Sequence, residues 1–144
     1  GIGLAAPQIS VSQRVCVLDL RDEDAPEAGR WVFVNPVIVE SSDEEDKKPE
    51  GCLSIPEMED VVTRPARVTV RGFDVEGQAI EVEAERLLAR ALQHEIDHLD
   101  GLLLVDHLDD DQSREARRVL RQMTMSRLAS TPAGGQLDGG LRLR

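Results

Sequence analysis

The chain has 144 residues, 40% of them hydrophobic, and a formal net charge of −11. That length suits one domain with one sizeable core, and the acidic balance argues against a general nucleic-acid or DNA binder and for a soluble cytosolic protein. No run is long and apolar enough to suggest a membrane span, no signal-peptide pattern stands out, and 2 cysteines are too few for a disulfide scaffold.

In chain order, Gly1 to Gln8 combines glycines and alanines, small residues that let another backbone approach closely. Arg14 to Leu20 reads as a strand, with Val15 and Val17 on one face and Cys16 as an inert buried thiol. Arg21 to Gly29 reads as a charged loop. Trp31 to Val39 is β-rich but interrupted by Asn35-Pro36, so it predicts two short pieces or one irregular strand. Glu40 to Glu50 is acidic and predicts a solvated loop. Arg67 to Asp74 and Gln78 to Glu85 alternate as a hairpin around Val75-Glu76-Gly77. A helix is predicted from Arg86 to Asp100, closed by Gly101. Leu102 to Val105 reads as a short strand and His107 as a surface residue. Asp109-Asp110-Asp111 suits the start of a second helix, running to about Leu128. Glycines and Pro132 mark residues 131–144 as a flexible tail, leaving 1–130 as the catalytic unit.

The chemistry concentrates in the first helix, in Gln93-His94-Glu95-Ile96-Asp97-His98. Residues i and i+4 stack on one helix face, so His94 and His98 can reach one metal ion with Glu95 beside it for proton transfer. Leu87, Leu88, Ala91, Leu92, Ile96 and Leu99 form the apolar arc. Arg90, Gln93, Asp97 and Asp100 fall on the opposite, polar side. Glu95 points into the apolar arc, where an ionised carboxylate needs compensation. A catalytic site of this kind needs a third protein ligand. Cys52, next to Gly51, is the preferred one, because a thiolate beside a dication stays deprotonated.

Three motifs in order, GIGLAAPQ at Gly1–Gln8, EGCLS at Glu50–Ser54 and QHEIDH at Gln93–His98, make the chain resemble the peptide deformylases. The resemblance implies an α+β fold, with antiparallel strands packed around a central metal-binding helix and a C-terminal helix. Members usually carry a helical segment ahead of the first motif, which the sequence here does not include. The implied activity is removal of the formyl group from the N-terminal methionine of new polypeptides, in the bacterial cytoplasm. By that resemblance Cys52, His94 and His98 hold one divalent metal. One thiolate and two imidazoles suit iron, zinc, nickel or cobalt. The family implies Fe(2+) in the cell, with Zn, Ni or Co in purified protein. Glu95 would move the proton, while the Gln8 side chain and the Leu53 backbone N–H would stabilise the developing oxyanion. Ile2, Gly3 and Glu50 would lie along the substrate, and an Arg64–Asp97 pair would tie the cysteine segment to the histidine helix. Many members have an apolar residue where Arg90 stands. Its place on the wheel predicts that it bends away from the methionine pocket. Arg114, Arg117, Arg118 and Arg121 suggest a transient ribosome contact, against the simpler reading of a solvated face. The rival function is a zinc peptidase that takes His107 as third ligand. A binding protein that has lost catalysis is weaker, because Glu95, Gln8 and all three ligands are present.

Overall fold

The computed structural model describes residues 2–21, 28–52 and 55–130, with only the backbone of 55–58. Among the described residues, seven strands and two helices follow in order: β1 (Gly3–Ala5), β2 (Val15–Leu20), β3 (Gly29–Ser41), β4 (Glu45–Cys52), β5 (Ile55–Pro65), β6 (Arg67–Phe73), β7 (Ala79–Glu85), α1 (Arg86–Leu99) and α2 (Asp110–Ser130). Short 3-10 turns occupy Ala6–Ile9 and Leu104–His107. The fold is α+β, with an antiparallel five-stranded sheet in the order β1-β2-β3-β6-β7 and a separate β4-β5 ribbon.

Period-two burial builds the sheet's inner face. Cys16, Leu18 and Leu20 of β2 and Val68 and Val70 of β6 are buried together with Phe33 of β3. Their exposed neighbours alternate outward, as Val17 does. α1 lays Leu88, Leu92 and Ile96 on this face at spacings of four. The β6-β7 turn forms where it is predicted. Asp74 Oδ1 accepts the N–H groups of Glu76 and Gln78, both at 2.9 Å. Gly77 supplies a φ of +80°.

The Asn35-Pro36 interruption is a bulge in one long strand. The β3-β6 register shifts between Val34 and Val37, and Asn35 adopts a φ of 51°. Gly72 lies opposite, where a Cβ would come within 3.0 Å of the Val34 carbonyl oxygen.

Two expectations fail here. Glu40 to Glu50 is not a solvated loop: β3 continues to Ser41, and Glu45–Cys52 pairs along its length with β5. Glu45, Lys47 and Lys48 face water while the backbone bonds within the ribbon, so polarity there marked exposure rather than irregular structure, and Glu50 alone of its charged side chains is buried. Leu102 to Val105 is not a strand. Gly101, at φ +78°, reverses the chain, and Leu104 is buried at the head of a 3-10 turn. The tail residues 131–144 lie outside the described residues.

The ribbon explains a third difference. β5 lies along the side of α1 facing away from the sheet, so the helix is covered on two sides. Arg90 and Gln93, placed in water by the wheel, are 7% and 5% exposed. Gln93 Nε2 donates to the Pro65 carbonyl at 3.0 Å, and Arg90 Nη1 to that of Val62 at 3.1 Å. No helix among the described residues is long and apolar enough to cross a membrane.

Candidate metal centre and active site

α1 presents His94 and His98 one turn apart, and β4 ends at Cys52 beside them. Cys52 Sγ lies 3.3 Å from His98 Nε2, and the two Nε2 atoms are 3.2 Å apart. All three ligand atoms fall within 4.8 Å of one another. Tetrahedral coordination with metal–nitrogen bonds of about 2.0–2.1 Å puts two nitrogens about 3.3 Å apart. The trio therefore has the donor types and spacing for one cation. Cys52 gets there through the register shift between Gly51 and Cys52, which turns the end of β4 inward.

Glu95 occupies the neighbouring wall and is 4% exposed. Its Oε2 is buried and accepts no hydrogen bond from the described residues. An orphaned acceptor beside two metal-facing histidines fits a place for a water and a cation. Burial pushes the Glu95 carboxyl up to about 7, against a smaller opposing effect of His94. Gly3 makes this arrangement sterically feasible, since a Cβ there would lie 2.3 Å from Glu95 Oε1. The 3-10 turn after β1 folds Gln8 back, with its Oε1 accepting from Ala5 N–H at 2.8 Å and its Nε2 3.9 Å from Cys52 Sγ. Leu53 lies outside the described residues.

Glu50 sits behind the metal trio. Its carboxylate accepts from Arg64 at 2.6 and 2.9 Å and from Arg90 at 2.5 Å. Its Oε2 is also 3.1 Å from His94 Nδ1. A carboxylate only accepts, so His94 carries its proton on Nδ1 and turns the Nε2 lone pair toward Cys52 and His98. Burial alone would raise Glu50, but bonds from His94, Arg64 and Arg90 outweigh it and hold the carboxyl at about 2. Burial alone would lower His94, but its bonds to Glu50 and Cys52 raise it, while burial and the His94 charge lower His98.

Arg64 Nη1 also reaches Asp97 Oδ2 at 2.8 Å. His107 is not with the trio. Its Nε2 lies 2.7 Å from the same Asp97 oxygen. Arg90 does not bend away: its head group is pinned on Glu50 and on the backbone carbonyls of Val62 and Asp46. It forms part of the wall of a cavity of about 260 Å³ that Ile2, Pro49, Leu87, Ala91 and His94 also line. The helix wheel could not show this, because the ribbon partners of Arg90 come from 28 to 44 residues away. Glu50's role as a hub was equally hidden, since neither arginine is near it in sequence.

Residues 1–114 match the family described as polypeptide deformylase. The chain belongs to the polypeptide deformylase family. A peptide deformylase of Natranaerobius thermophilus is 49% identical over 110 residues, which cover 76% of this chain and 67% of that protein. A peptide deformylase from Legionella pneumophila superposes with a TM-score of 0.77 at 44% identity, covering 92% of this chain and 75% of the other. A class I type b peptide deformylase from Acinetobacter baumannii, crystallised with Met-Ala-Ser bound, superposes with a TM-score of 0.70 at 40% identity over 75% of this chain and 70% of that one. This deformylase is thus an enzyme by family and fold, and its Cys52–His94–His98 trio is a group that could hold one metal ion.

Proposed function

We propose that this deformylase hydrolyses the formyl amide on the N-terminal methionine of newly made polypeptides, yielding formate and a free amine. The observation that carries the reading is the buried Glu95, whose Oε2 has no hydrogen-bond partner among the described residues and which lines one cavity with His94, a member of the Cys52–His94–His98 trio. A divalent cation held there supplies a Lewis acid that acidifies water and polarises the formyl oxygen. Fe(2+) is the proposed ion in the cell, with Zn, Ni or Co able to take the same ligands.

The residues divide the work. Glu95 takes the proton of the attacking water and delivers it to the departing amine nitrogen. A carboxyl raised toward neutrality suits both transfers. The Gln8 side-chain amide and the Leu53 backbone N–H are the proposed donors to the developing oxyanion. β1 is an edge strand, so Ile2 and Gly3 can receive the substrate backbone as an added strand. The 260 Å³ cavity has room for one side chain, and an apolar one suits Ile2, Leu87 and Ala91. The methionine-first peptide bound by the Acinetobacter relative agrees with this assignment. Glu50 lines the same cavity, and it also holds His94, with its oxygens engaged by Arg64, Arg90 and His94.

The proposed setting is the bacterial cytoplasm, with a transient ribosome contact through the arginines of α2. The deciding experiment offers formyl-Met-Ala-Ser and Met-Ala-Ser to protein loaded with Fe(2+), Ni(2+) or Co(2+). Formate release from the first, with no cleavage of the second, is expected. Cleavage of internal peptide bonds without formate release would replace this reading with a peptidase.

A further inference from the structure

We infer that His107 is a positioning residue for the metal centre, acting through Asp97 and Arg64; this rests on the deformylase reading of the site. His107 Nε2 and Arg64 Nη1 converge on one oxygen of Asp97, at 2.7 and 2.8 Å. Asp97 precedes the ligand His98 directly, in the last turn of α1. Arg64 turns its remaining nitrogens to Glu50 at 2.6 and 2.9 Å, and Glu50 Oε2 reaches His94 Nδ1 at 3.1 Å. A continuous line of hydrogen bonds therefore runs from a residue outside the trio to the far side of a ligand imidazole.

The outer end of this line is the most exposed. The side chains of Arg64 and Glu50 are 4% and 6% exposed, Asp97 is 18% and His107 27%. A carboxylate at such a place can turn toward water unless a second donor holds it. His107 is that donor, and because a carboxylate only accepts, its Nε2 carries the proton. The turn that delivers His107 is itself built. Leu102 N–H donates to the Asp97 carbonyl at 2.8 Å. Asp106 caps the turn by accepting from Leu103 N–H at 2.7 Å, and Leu104 is 2% exposed. With Asp97 fixed, Arg64 keeps both of its partners, and β5, β4 and α1 hold their ligands in register.

The test compares His107→Leu, which keeps bulk without a donor, with His107→Gln, whose amide nitrogen can stand where Nε2 does. Metal-free protein is titrated with Co(2+) against a competing chelator, the visible spectrum of the Co(2+) form is recorded, and kcat and KM are measured on a formyl-methionyl peptide. The leucine variant is expected to bind Co(2+) about tenfold more weakly, the low end for a residue behind a ligand, with shifted visible bands and a lower kcat at unchanged KM. The glutamine variant is expected to recover affinity and spectrum. Leucine behaving like the parent, or glutamine failing as leucine does, overturns the inference. If the leucine variant does not fold, His107→Asn, too short to reach Asp97, takes its place and must bind Co(2+) more weakly than His107→Gln; equal affinities overturn it. Failure of the parent to release formate, with this order of Co(2+) affinities intact, counts against the proposed reaction alone.

Discussion

Two buried glutamates forty-five residues apart show how environment divides one residue type into opposite roles. Glu50 lies among two arginines and His94, and its carboxyl is held at about 2. Glu95 Oε2 has no donor among the described residues, and burial lifts the carboxyl to about 7. The signs of their effects on stability differ. Glu50 stabilises the fold fully above about pH 4.5, and this is lost as pH falls through about 2. Glu95 binds a proton in the folded state that the unfolded chain releases. Its protonated form stabilises the fold below about pH 4.5, and that contribution is lost as pH rises through about 7. A shift from 4.5 to about 7 corresponds to roughly 3 kcal/mol between the ends of that window. Glu95→Gln removes the titration. In denaturant unfolding of metal-free protein, Glu95→Gln is expected to gain about 3 kcal/mol on the parent between pH 4 and pH 8. Parallel stability curves over that range would remove the buried-carboxyl account.

At the scale of elements, the decisive contact is between the β4-β5 ribbon and α1. The sheet holds one side of α1 with apolar side chains, whereas the ribbon holds the other with charge. Arg64, Arg90 and Gln93 all bridge ribbon and helix. Arg64 is the central tie, with one fork on Glu50 and the remaining nitrogen on Asp97. Cutting it to alanine leaves two carboxylates under-compensated, and breaking a buried pair this way costs on the order of 3–5 kcal/mol. The lower end is expected here, since Arg90 stays on Glu50. Arg64→Lys should recover little, because an ammonium cannot reproduce the fork on Glu50. Thermal and urea unfolding of both variants, with metal content by elemental analysis, measures this. Full stability and full metal in Arg64→Ala would make the tie incidental.

At the scale of the whole molecule, α2 stands apart. Of its 21 residues Ala116 is the buried one, packed with Val105, Leu108 and Leu120. Gln112 adds a bond to the Val61 carbonyl at 3.1 Å. The second half carries exposed Met125 and Leu128 beyond the arginine cluster. Arg114 and Arg118 pair with Asp111 and Glu115 in i,i+3 contacts, in an exposed setting where such pairs contribute little. A basic face on a protein of net charge −11 suits an RNA-rich partner. Reversing Arg117 and Arg121 to glutamate is expected to lower co-sedimentation with ribosomes severalfold, and added salt should weaken the parent's binding in the same way. Turnover of short formyl peptides should stay at the parent's level. Unchanged co-sedimentation would leave α2 as a solvated helix.

The sequence by itself determined the parts whose signal is local. The helical spacing of His94 and His98, the β6-β7 hairpin and the family motifs were legible because a few neighbouring residues carry each of them. The interruption at Asn35-Pro36 was legible for the same reason, since proline cannot donate to the ladder, but only the pairing with β6 decided for one bulged strand over two short pieces. Tertiary structure decided the rest. Glu45–Cys52 became a strand because Ile55–Pro65 pairs with it, and burial of Arg90 followed from the ribbon crossing α1. Neither can be read from periodicity, which reports one helix and its water, not what another element covers. The destinations of Glu50 and His107 were hidden for a related reason. A charge shows its partner only when distant segments meet, and at 2.5 to 3.1 Å that meeting, more than the charge, sets what the residue does.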